Sequence, residues 1–272
     1  MRRLWRRETP ARDVASRRYE HGRLPTRFVD PLDDADLDRL NTLLPWHCFT
    51  VDSHGRPFGR QAWEGKRSEP QPVPDPRIVR FDSRFGLAGK DVLEIGCFEG
   101  VHTVALCALG ARVTAVDARV ENVVKTIVRC AFFGWHPTVF TCNVERPAQE
   151  ELLGTALCHH VGVLYHLSDP VAHLRWLCPR IGEGLMLDTH YAWDDSAREV
   201  YTSGGDQFRF RPVREAGRDD PFSGTTDDSK WLLLDDIVSL LRNGGFGEVE
   251  VAERRDERNG PRVLLFAART GR

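Results

Sequence analysis

Long apolar runs, paired cysteines and an excess of charge are all missing from this sequence of 272 residues. No stretch of eighteen or more apolar residues occurs, so we expect no transmembrane helix and no contact with a membrane. The arginine-rich N-terminus has no apolar segment after it and therefore lacks the pattern of a secretory signal. An organelle presequence stays open as a reading of this start, although Glu8, Pro10 and Asp13 argue against it.

Cysteine spacing excludes the usual structural roles of this residue. The seven cysteines form no C-x-x-C pair and no His/Cys cluster at zinc spacing, and most of them lie in apolar runs. No H-x-x-x-H motif or carboxylate triad occurs either, so the sequence predicts no metal site. We expect a reduced protein of the cytoplasm.

Charge of one sign is also missing. The formal net charge is -2, and only Lys66, Lys90, Lys125 and Lys230 are lysines among 38 basic residues. A nearly neutral chain creates no overall field that would attract nucleic acid. The basic stretch from Arg2 to Arg18 is a local exception, which fits a solvated face or an RNA-binding patch.

Residues 1–73 are predicted to form an N-terminal lid and linker. Leucines at helical spacing predict a short helix from Asp33 to Leu44, which Pro45 ends. The stretch 46–59 has the pattern of a β-hairpin with its turn at 53–55. Four prolines between residues 64 and 76 then indicate a linker.

Residues 74–272 are predicted to form one α/β domain. Asp75 and Pro76 suit the start of a helix that reaches about Phe85. Strands are then expected at 91–96, 112–117, 138–143, 156–165 and 184–191, with helices at 101–109, 120–133 and 169–177 between them. This alternation predicts a parallel sheet with helices on both faces. A polar, glycine-rich insertion over 192–229 follows, and then a helix over 231–241 and two strands over 243–251 and 262–268.

The stretch "DVLEIGCFEG" (91–100) joins a strand to a glycine turn. Gly96 and Gly100 let the backbone approach a ligand at the carboxyl end of the sheet. Phe98 stands between them, so the stretch is not the G-x-G-x-x-G of dinucleotide-binding proteins, and no G-K-[ST] follows. A glycine-bounded strand end without a ligand is the alternative.

Polar residues end the next two strands. Asp117 lies about twenty residues after the glycines, where a carboxylate can accept hydrogen bonds from two ribose hydroxyls. A helix N-cap is the competing interpretation of Asp117. Asn143 and Val144 end the third strand, where an adenine edge would lie. Together these positions suit an adenosine without phosphates.

Over roughly residues 74–270 the sequence resembles the class I S-adenosylmethionine-dependent methyltransferases. "VLEIGCFEG", "VTAVDA" and "CNVE" resemble the family's cofactor motifs. "GVLYHLSDP" (162–170) is similar to the branch of tRNA wobble-uridine carboxymethyltransferases and many small-molecule methyltransferases. The resemblance implies a Rossmann-like, doubly wound, seven-stranded sheet, mostly parallel with an antiparallel terminal strand.

By this resemblance the cofactor is S-adenosyl-L-methionine. The residues expected to bind it are Glu94, Gly96, Cys97, Phe98, Gly100, Asp117, Ala118, Asn143, Val144 and Gly162. The chain departs from the family pattern at Phe98, where a glycine is usual, and at Ala156, where an aspartate is common. The ring of Phe98 must therefore turn away from the cofactor or pack on it.

Methyl transfer needs alignment, exclusion of water and, for a hydroxyl or protonated amine, a general base. His166 is the first candidate for the base because it follows the fourth strand, with Tyr165 and His160 as further candidates. Capping of the next helix or a hydrogen bond to the backbone is the alternative role for His166. His159 and His160 point to opposite faces of a strand, so at most one of them can face the site.

Residues that end the fifth strand or lie in the lid are expected to bind the acceptor; they are Trp46, His190, Tyr191, Trp193 and Tyr201. The lid aromatics could instead bury the underside of the lid.

The leading hypothesis is a biosynthetic enzyme that methylates an oxygen or nitrogen of a small molecule such as a sugar. A tRNA wobble-uridine methyl- or carboxymethyltransferase is the second, although Leu167 stands where those relatives tend to carry a basic residue. A binding module that has lost its chemistry is the third. We expect a monomer or a homodimer.

Overall fold

The computed structural model describes residues 26–59, 69–145 and 154–270. The predicted N-terminal arginine stretch and much of the predicted linker lie outside these residues. The described helices are α1 (Asp34–Leu43), α2 (Pro76–Phe85), α3 (Val101–Ala108), α4 (Val120–Phe132), α5 (Pro170–Leu177) and α6 (Leu234–Asn243).

Twelve strands form three sheets within the described ranges. They are β1 (Phe49–Val51), β2 (Pro57–Gly59), β3 (Asp91–Ile95), β4 (Arg112–Asp117), β5 (Thr138–Thr141), β6 (Thr155–Val161), β7 (Ile181–His190), β8 (Glu199–Ser203), β9 (Asp206–Arg214), β10 (Asp228–Leu232), β11 (Glu248–Glu257) and β12 (Gly260–Ala268).

The central sheet has seven strands in the order β11-β12-β7-β6-β3-β4-β5. The five strands from β7 to β5 are mutually parallel, and β12 is antiparallel to both of its neighbours. The predicted fold is confirmed. The strand order reverses between β3 and β6, and an open sheet binds its ligands at the carboxyl edge beside such a reversal.

Alternating side chains of the central strands fill two cores. Leu93, Cys158 and Leu185 belong to the core beneath α5 and α6. Their sequence neighbours Val92 and Leu157 belong to the core beneath α2 and α3. This period of two explains why the strands carry nearly continuous apolar runs, since both faces of the sheet are covered.

The N-terminal segment packs on α3 and α4. The predicted helix and hairpin are both present, as α1 and as the antiparallel pair β1 and β2. Val29, Leu37 and Phe58 form a core with Val104 and Cys130. The segment is therefore held by apolar contacts to the central domain.

Several predicted boundaries were wrong, among them that of the strand predicted within 243–251, which spans Glu248–Glu257. The fourth strand ends at Val161, because Gly162 takes a φ of 76° and turns the chain into a short 3-10 helix over Leu164–His166. Trp231 was placed in a helix but lies in β10, where it pairs with Arg211 of β9. Strands β8, β9 and β10 form an antiparallel sheet within and just after the predicted insertion.

Candidate ligand site at the carboxyl edge of the sheet

A crevice of about 640 Å³ lies at the carboxyl ends of the central strands. Its volume is within the range of about 300–1,000 Å³ that small-molecule sites usually have. One side of it, here called the glycine-turn side, is formed by the turn after β3 and the ends of β4 and β5. The other, the arginine side, is formed by the turn after β6 together with α2, β11 and β12.

The glycine turn is tightly folded. Gly96 and Gly100 take φ angles of 75° and 78°, and the N–H groups of Gly96 and Cys97 both donate to the carbonyl of Val116. A Cβ on Gly96 would lie 2.3 Å from Cγ2 of Val163, and one on Gly100 would lie 2.9 Å from Cα of Thr126. Both positions therefore require glycine, by conformation and by space.

Phe98 stands where related glycine turns usually have a glycine, and its backbone has a positive φ angle. Its φ is 50°, an unusual value for an aromatic residue, and its N–H donates to Oδ2 of Asp117 at 3.0 Å. The centre of its ring lies 5.2 Å from that of Phe222 and 6.2 Å from that of His47. Phe98 therefore connects the N-terminal segment with the loop around residue 222.

Glu99 anchors the N-terminal segment, a role that no spacing in the sequence indicated. Its buried carboxylate accepts the N–H groups of His47 and Cys48 and lies 2.8 Å from Nζ of Lys125. Burial acts to raise the pKa of Glu99, but the contacts with His47, Arg129 and Lys125 prevail and lower the pKa to about 2. The carboxylate stays ionised and holds the segment beside the crevice.

Asp117 ends β4, lines the crevice and is buried. Its carboxylate accepts hydrogen bonds from the N–H groups of Phe98 and Arg119 and from Nδ2 of Asn122. Burial raises the pKa of Asp117, although these donors oppose the rise. A carboxylate has about four acceptor positions, so roughly one remains for a ligand hydroxyl.

The far end of the glycine-turn side is smaller and less charged. The predicted cofactor-binding residues Ala118, Asn143 and Val144 all line it. Oδ1 of Asn143 accepts the N–H of Glu145, and among the described residues the amide nitrogen of Asn143 has no hydrogen-bond partner. This amide and the neighbouring backbone are the available polar groups.

Glu94 lies deep beneath the turn. Its side chain is buried and accepts a hydrogen bond of 2.6 Å from Oγ1 of Thr103. Burial raises the pKa of Glu94 to about 8. A cationic ligand group placed here would favour the ionised carboxylate. Gly162, also a predicted site residue, lines the crevice close to this point.

His166 and Glu215 form a hydrogen-bonded pair at the junction of the two sides. Nδ1 of His166 lies 2.8 Å from Oε1 of Glu215, a residue in the predicted insertion. Burial acts to raise the pKa of Glu215, but the bonds from His166, Ser223 and Gly224 prevail and lower the pKa to about 2. An ionised carboxylate on Nδ1 leaves Nε2 as the proton-accepting atom of a neutral imidazole.

Tyr165 lines the crevice beside His166, but burial raises the pKa of its phenol. The guanidinium carbon of Arg262 lies 5.5 Å from the centre of the Tyr165 ring, and His190 packs edge-on against that ring. A phenol that stays protonated shapes the site and can donate a hydrogen bond, but is a poor general base.

Three arginines give the arginine side its character. Arg77, Arg255 and Arg262 all line the crevice and all lie next to the buried carboxylate of Asp188. Arg77 also pairs with a second carboxylate, Asp75, at 2.8 Å. Acceptors and donors therefore alternate on this side, and the arginines carry little uncompensated charge.

Arg119 holds the loop over the crevice. Its guanidinium donates to the carbonyl oxygens of Gly217, Asp220, Ser223 and Gly224 at 2.8–3.2 Å. Residues 221–225 of this loop line the crevice. A buried arginine that satisfies four carbonyls fixes the loop firmly, because each bond is charge-assisted.

Several predicted site residues do not line the crevice. His160 faces the opposite side of the sheet, where its Nε2 lies 2.9 Å from Nε2 of His173. Trp46 is buried in the core of the N-terminal segment, with Nε1 donating to Leu40. The other four are His190, stacked on Trp231; Tyr191, in the main core; Trp193, half exposed; and Tyr201, packed on Phe210. Contacts with side chains elsewhere in the fold, polar for His160 and mainly aromatic or apolar for most of the others, hold these residues away from the crevice.

Known proteins with similar sequences are methyltransferases by name. No family model matches the chain. It is 32% identical over 171 residues to the tRNA U34 carboxymethyltransferase of Methylococcus capsulatus, covering 61% of this chain and 49% of that protein. It is 43% identical over 58 residues to a ubiquinone biosynthesis O-methyltransferase of Pseudomonas aeruginosa, covering 20% and 25%. The chain thus spans about half the length, or less, of these curated relatives.

Solved structures share the fold. The N-terminal domain of EvdMO1, crystallised in the presence of SAH and D-fucose, matches with a TM-score of 0.71 at 24% identity, over 88% of this chain and 98% of that domain. Magnesium protoporphyrin IX methyltransferase from Synechocystis, with bound SAH, matches with a TM-score of 0.51 at 17% identity, over 71% and 80%. The chain therefore has the fold of the class I S-adenosylmethionine-dependent methyltransferases, and its sequence relatives are named methyltransferases.

Proposed function

We propose that the chain transfers a methyl group from S-adenosylmethionine to a hydroxyl oxygen, or less readily a nitrogen, of a small polar molecule such as a sugar. One observation carries the proposal: His166, whose Nδ1 is hydrogen-bonded to Glu215, lines the same crevice as the acidic and glycine residues that suit an adenosyl group.

The glycine-turn side fits the cofactor. Asp117 has an acceptor left for the ribose, the tight turn at Gly96 brings bare backbone to the crevice, and Asn143 with Val144 offers polar groups for the adenine. Glu94 would pair with the ammonium of the methionine end. When bound, the cofactor supplies a methyl group already activated by a positively charged sulfur, so the protein has to align the acceptor and exclude water.

His166 would take the proton from the acceptor. Glu215 orients the imidazole through Nδ1 and stabilises its protonated form, so that Nε2 is the atom that accepts the proton. Such a base helps a hydroxyl most, because an alcohol is a weak nucleophile before it loses its proton. The pair therefore favours oxygen over nitrogen as the methylated atom.

The arginine side favours a neutral polar acceptor. Arg255 and Arg262 present N–H donors beside the carboxylates of Glu253 and Glu257, which also line the crevice, and this mixture suits the hydroxyls of a polyol. The matching EvdMO1 domain was crystallised in the presence of D-fucose, which supports a sugar as the class of acceptor. We further propose a biosynthetic role in the reducing cytoplasm, as a monomer or homodimer, with all seven cysteines free.

Transfer of a carboxymethyl group to tRNA is the second candidate, because two curated relatives are named tRNA U34 carboxymethyltransferases. A carboxylated cofactor needs an uncompensated cation near the transferred group. The arginines of the described crevice are each held by carboxylates or carbonyls, and Leu167 is buried in the core.

Among the described residues, no helix has the length and apolar character to cross a membrane.

Calorimetry with S-adenosylhomocysteine tests the proposal first. We expect one site with a dissociation constant in the micromolar range, and binding weaker than about 1 mM would remove the proposal. Mass spectrometry of sugars incubated with the protein and the cofactor then looks for one added methyl group.

Retention on bulk tRNA at low salt, where phosphate contacts are strongest, would favour the second candidate instead. A chain that binds the cofactor but methylates nothing, and whose His166→Ala variant behaves like the parent in cells, is a binding module.

A further inference from the structure

His159 is a buried histidine whose ring has no hydrogen-bond partner. Both of its nitrogens are inaccessible to solvent and unpaired among the described residues. Burial lowers the pKa of His159 well below its usual value, so the ring is neutral and carries one free lone pair. Buried polar atoms are rarely left without a partner, so an unpaired imidazole calls for one.

Two further ligand-type residues lie beside this ring. Glu94 of β3, His102 of α3 and His159 of β6 each offer one donor atom, and these atoms all lie within 4.8 Å of one another. Glu94 has one oxygen bonded to Thr103, while Nε2 of His102 lies 3.4 Å from Oδ2 of Asp75. A carboxylate behind a ligating histidine is the usual outer support of a metal site.

We propose that Glu94, His102 and His159 bind a divalent ion of the zinc class in the cofactor-free protein. Two imidazoles and one carboxylate are a donor set that suits Zn²⁺ and related transition metals and is poor for Mg²⁺ or Ca²⁺. Ligand atoms about 2.1 Å from a tetrahedral ion are separated by roughly 3.4 Å, so separations of up to 4.8 Å must shorten by at most about 1.4 Å. The partly exposed side chain of His102 can supply that movement from the crevice.

The ion and the cofactor exclude one another. This step rests on the proposed function, in which the carboxylate of Glu94 pairs with the ammonium of the methionine end. Glu94 is a single buried carboxylate that already accepts a bond from Thr103, and a divalent ion and an ammonium held on it together would lie a few ångströms apart and repel each other. This coupling is reciprocal: bound zinc lowers the affinity for the cofactor by the same factor by which bound cofactor lowers the affinity for zinc.

Titration of Zn²⁺ into the cofactor-free protein, purified without a polyhistidine tag, tests the site. We expect one ion per chain, and at least about 100-fold weaker binding in His159→Gln and in His102→Ala, since even changes behind the ligands cost roughly 10–100-fold. His136→Ala, which removes an exposed histidine, is the matched control and should leave binding unchanged. His102 is partly exposed, so its variant reports on the site even if the His159 variant does not fold.

Binding no tighter than about 1 mM, or equal binding by parent and both variants, would overturn the proposal. Titration of S-adenosylhomocysteine at saturating Zn²⁺ tests the exclusion, and an unchanged affinity would refute it. The zinc titration contains no cofactor, so it stays informative if S-adenosylhomocysteine fails to bind and the proposed function falls.

Discussion

The two sides of the crevice differ in how their residues are distributed along the chain. The glycine-turn side comes mainly from the ends of three successive strands, within the fifty residues from Glu94 to Val144. The arginine side joins α2, the turn after β6 and the terminal hairpin, and its His166 depends on Glu215 of the insertion. The first side is a local motif held by backbone, while the second exists only when distant segments meet.

The largest effect is expected from a substitution that changes only the arginine side of the crevice. Replacing His166 by alanine should lower kcat by about 10²–10⁴-fold, because a positioned base is removed, and should leave the affinity for S-adenosylhomocysteine unchanged. Steady-state kinetics and calorimetry check the two halves of this prediction. A matching loss of cofactor affinity would show that the two sides are not separate.

Glu215→Gln tests whether the charge of Glu215 contributes to the role of His166. It keeps the side-chain shape but removes the charge beside the imidazole. We expect a smaller loss of kcat than in His166→Ala, because glutamine can keep a hydrogen bond to Nδ1 but cannot stabilise the protonated imidazole by its charge. An unchanged kcat would reduce Glu215 to a structural contact of the loop.

The next effect concerns the stability of the glycine-turn side. Gly96→Ala puts a Cβ 2.3 Å from Val163 at a positive φ, and we expect a loss of about 2–4 kcal/mol in the free energy of unfolding. Gly89→Ala is the matched control, because Gly89 has a φ of 74° and nothing within 4 Å of the added Cβ. Urea denaturation should show a loss of only about 1 kcal/mol there. Equal losses in the two variants would exclude the steric contribution, and adding Val163→Ala should restore part of the stability of Gly96→Ala.

A smaller effect concerns the ribose contact. Asp117→Ala removes a charged acceptor, and we expect the dissociation constant of S-adenosylhomocysteine to rise about 10- to 100-fold, since hydrogen bonds to charged groups contribute roughly 1.5–3 kcal/mol. Calorimetry measures it, with the exposed Asp195→Ala as control. An unchanged affinity would leave Asp117 as a cap of the turn only.

The last effect is a pH dependence with two opposite signs. The pKa of Glu94 is about 8 in the folded chain and 4.5 in its unperturbed form. The cofactor-free protein should therefore lose stability as the pH rises from about 5 to 8, because the folded state holds a proton that the unfolded state has released. Cofactor affinity should rise over the same window, by at most about tenfold per pH unit, because the ammonium needs the ionised carboxylate. Flat profiles in both denaturation and calorimetry would show that Glu94 does not titrate there.

The pattern of apolar residues was enough to predict the elements of the central sheet. Strand and helix periods, with caps such as Asp75, are local features, and they predicted α2, α4 and most strands closely. The misplaced Trp231 shows the limit, because a short apolar run fits a helix or a buried strand until β9 is known to pair with it. The six predicted residues that miss the crevice failed for a similar reason: nothing in the sequence shows which way an aromatic or histidine side chain packs.

Residues close together in the chain were enough to predict the strands of the central sheet, the glycine turn and the position of Asp117 at a strand end. The folded chain was needed to show that Glu99 holds the N-terminal segment, that Glu215 pairs with His166 and that Glu94, His102 and His159 lie together. Side-chain contacts between residues far apart in sequence leave no periodic or spaced signal, because they arise when separate strand ends are brought to one edge.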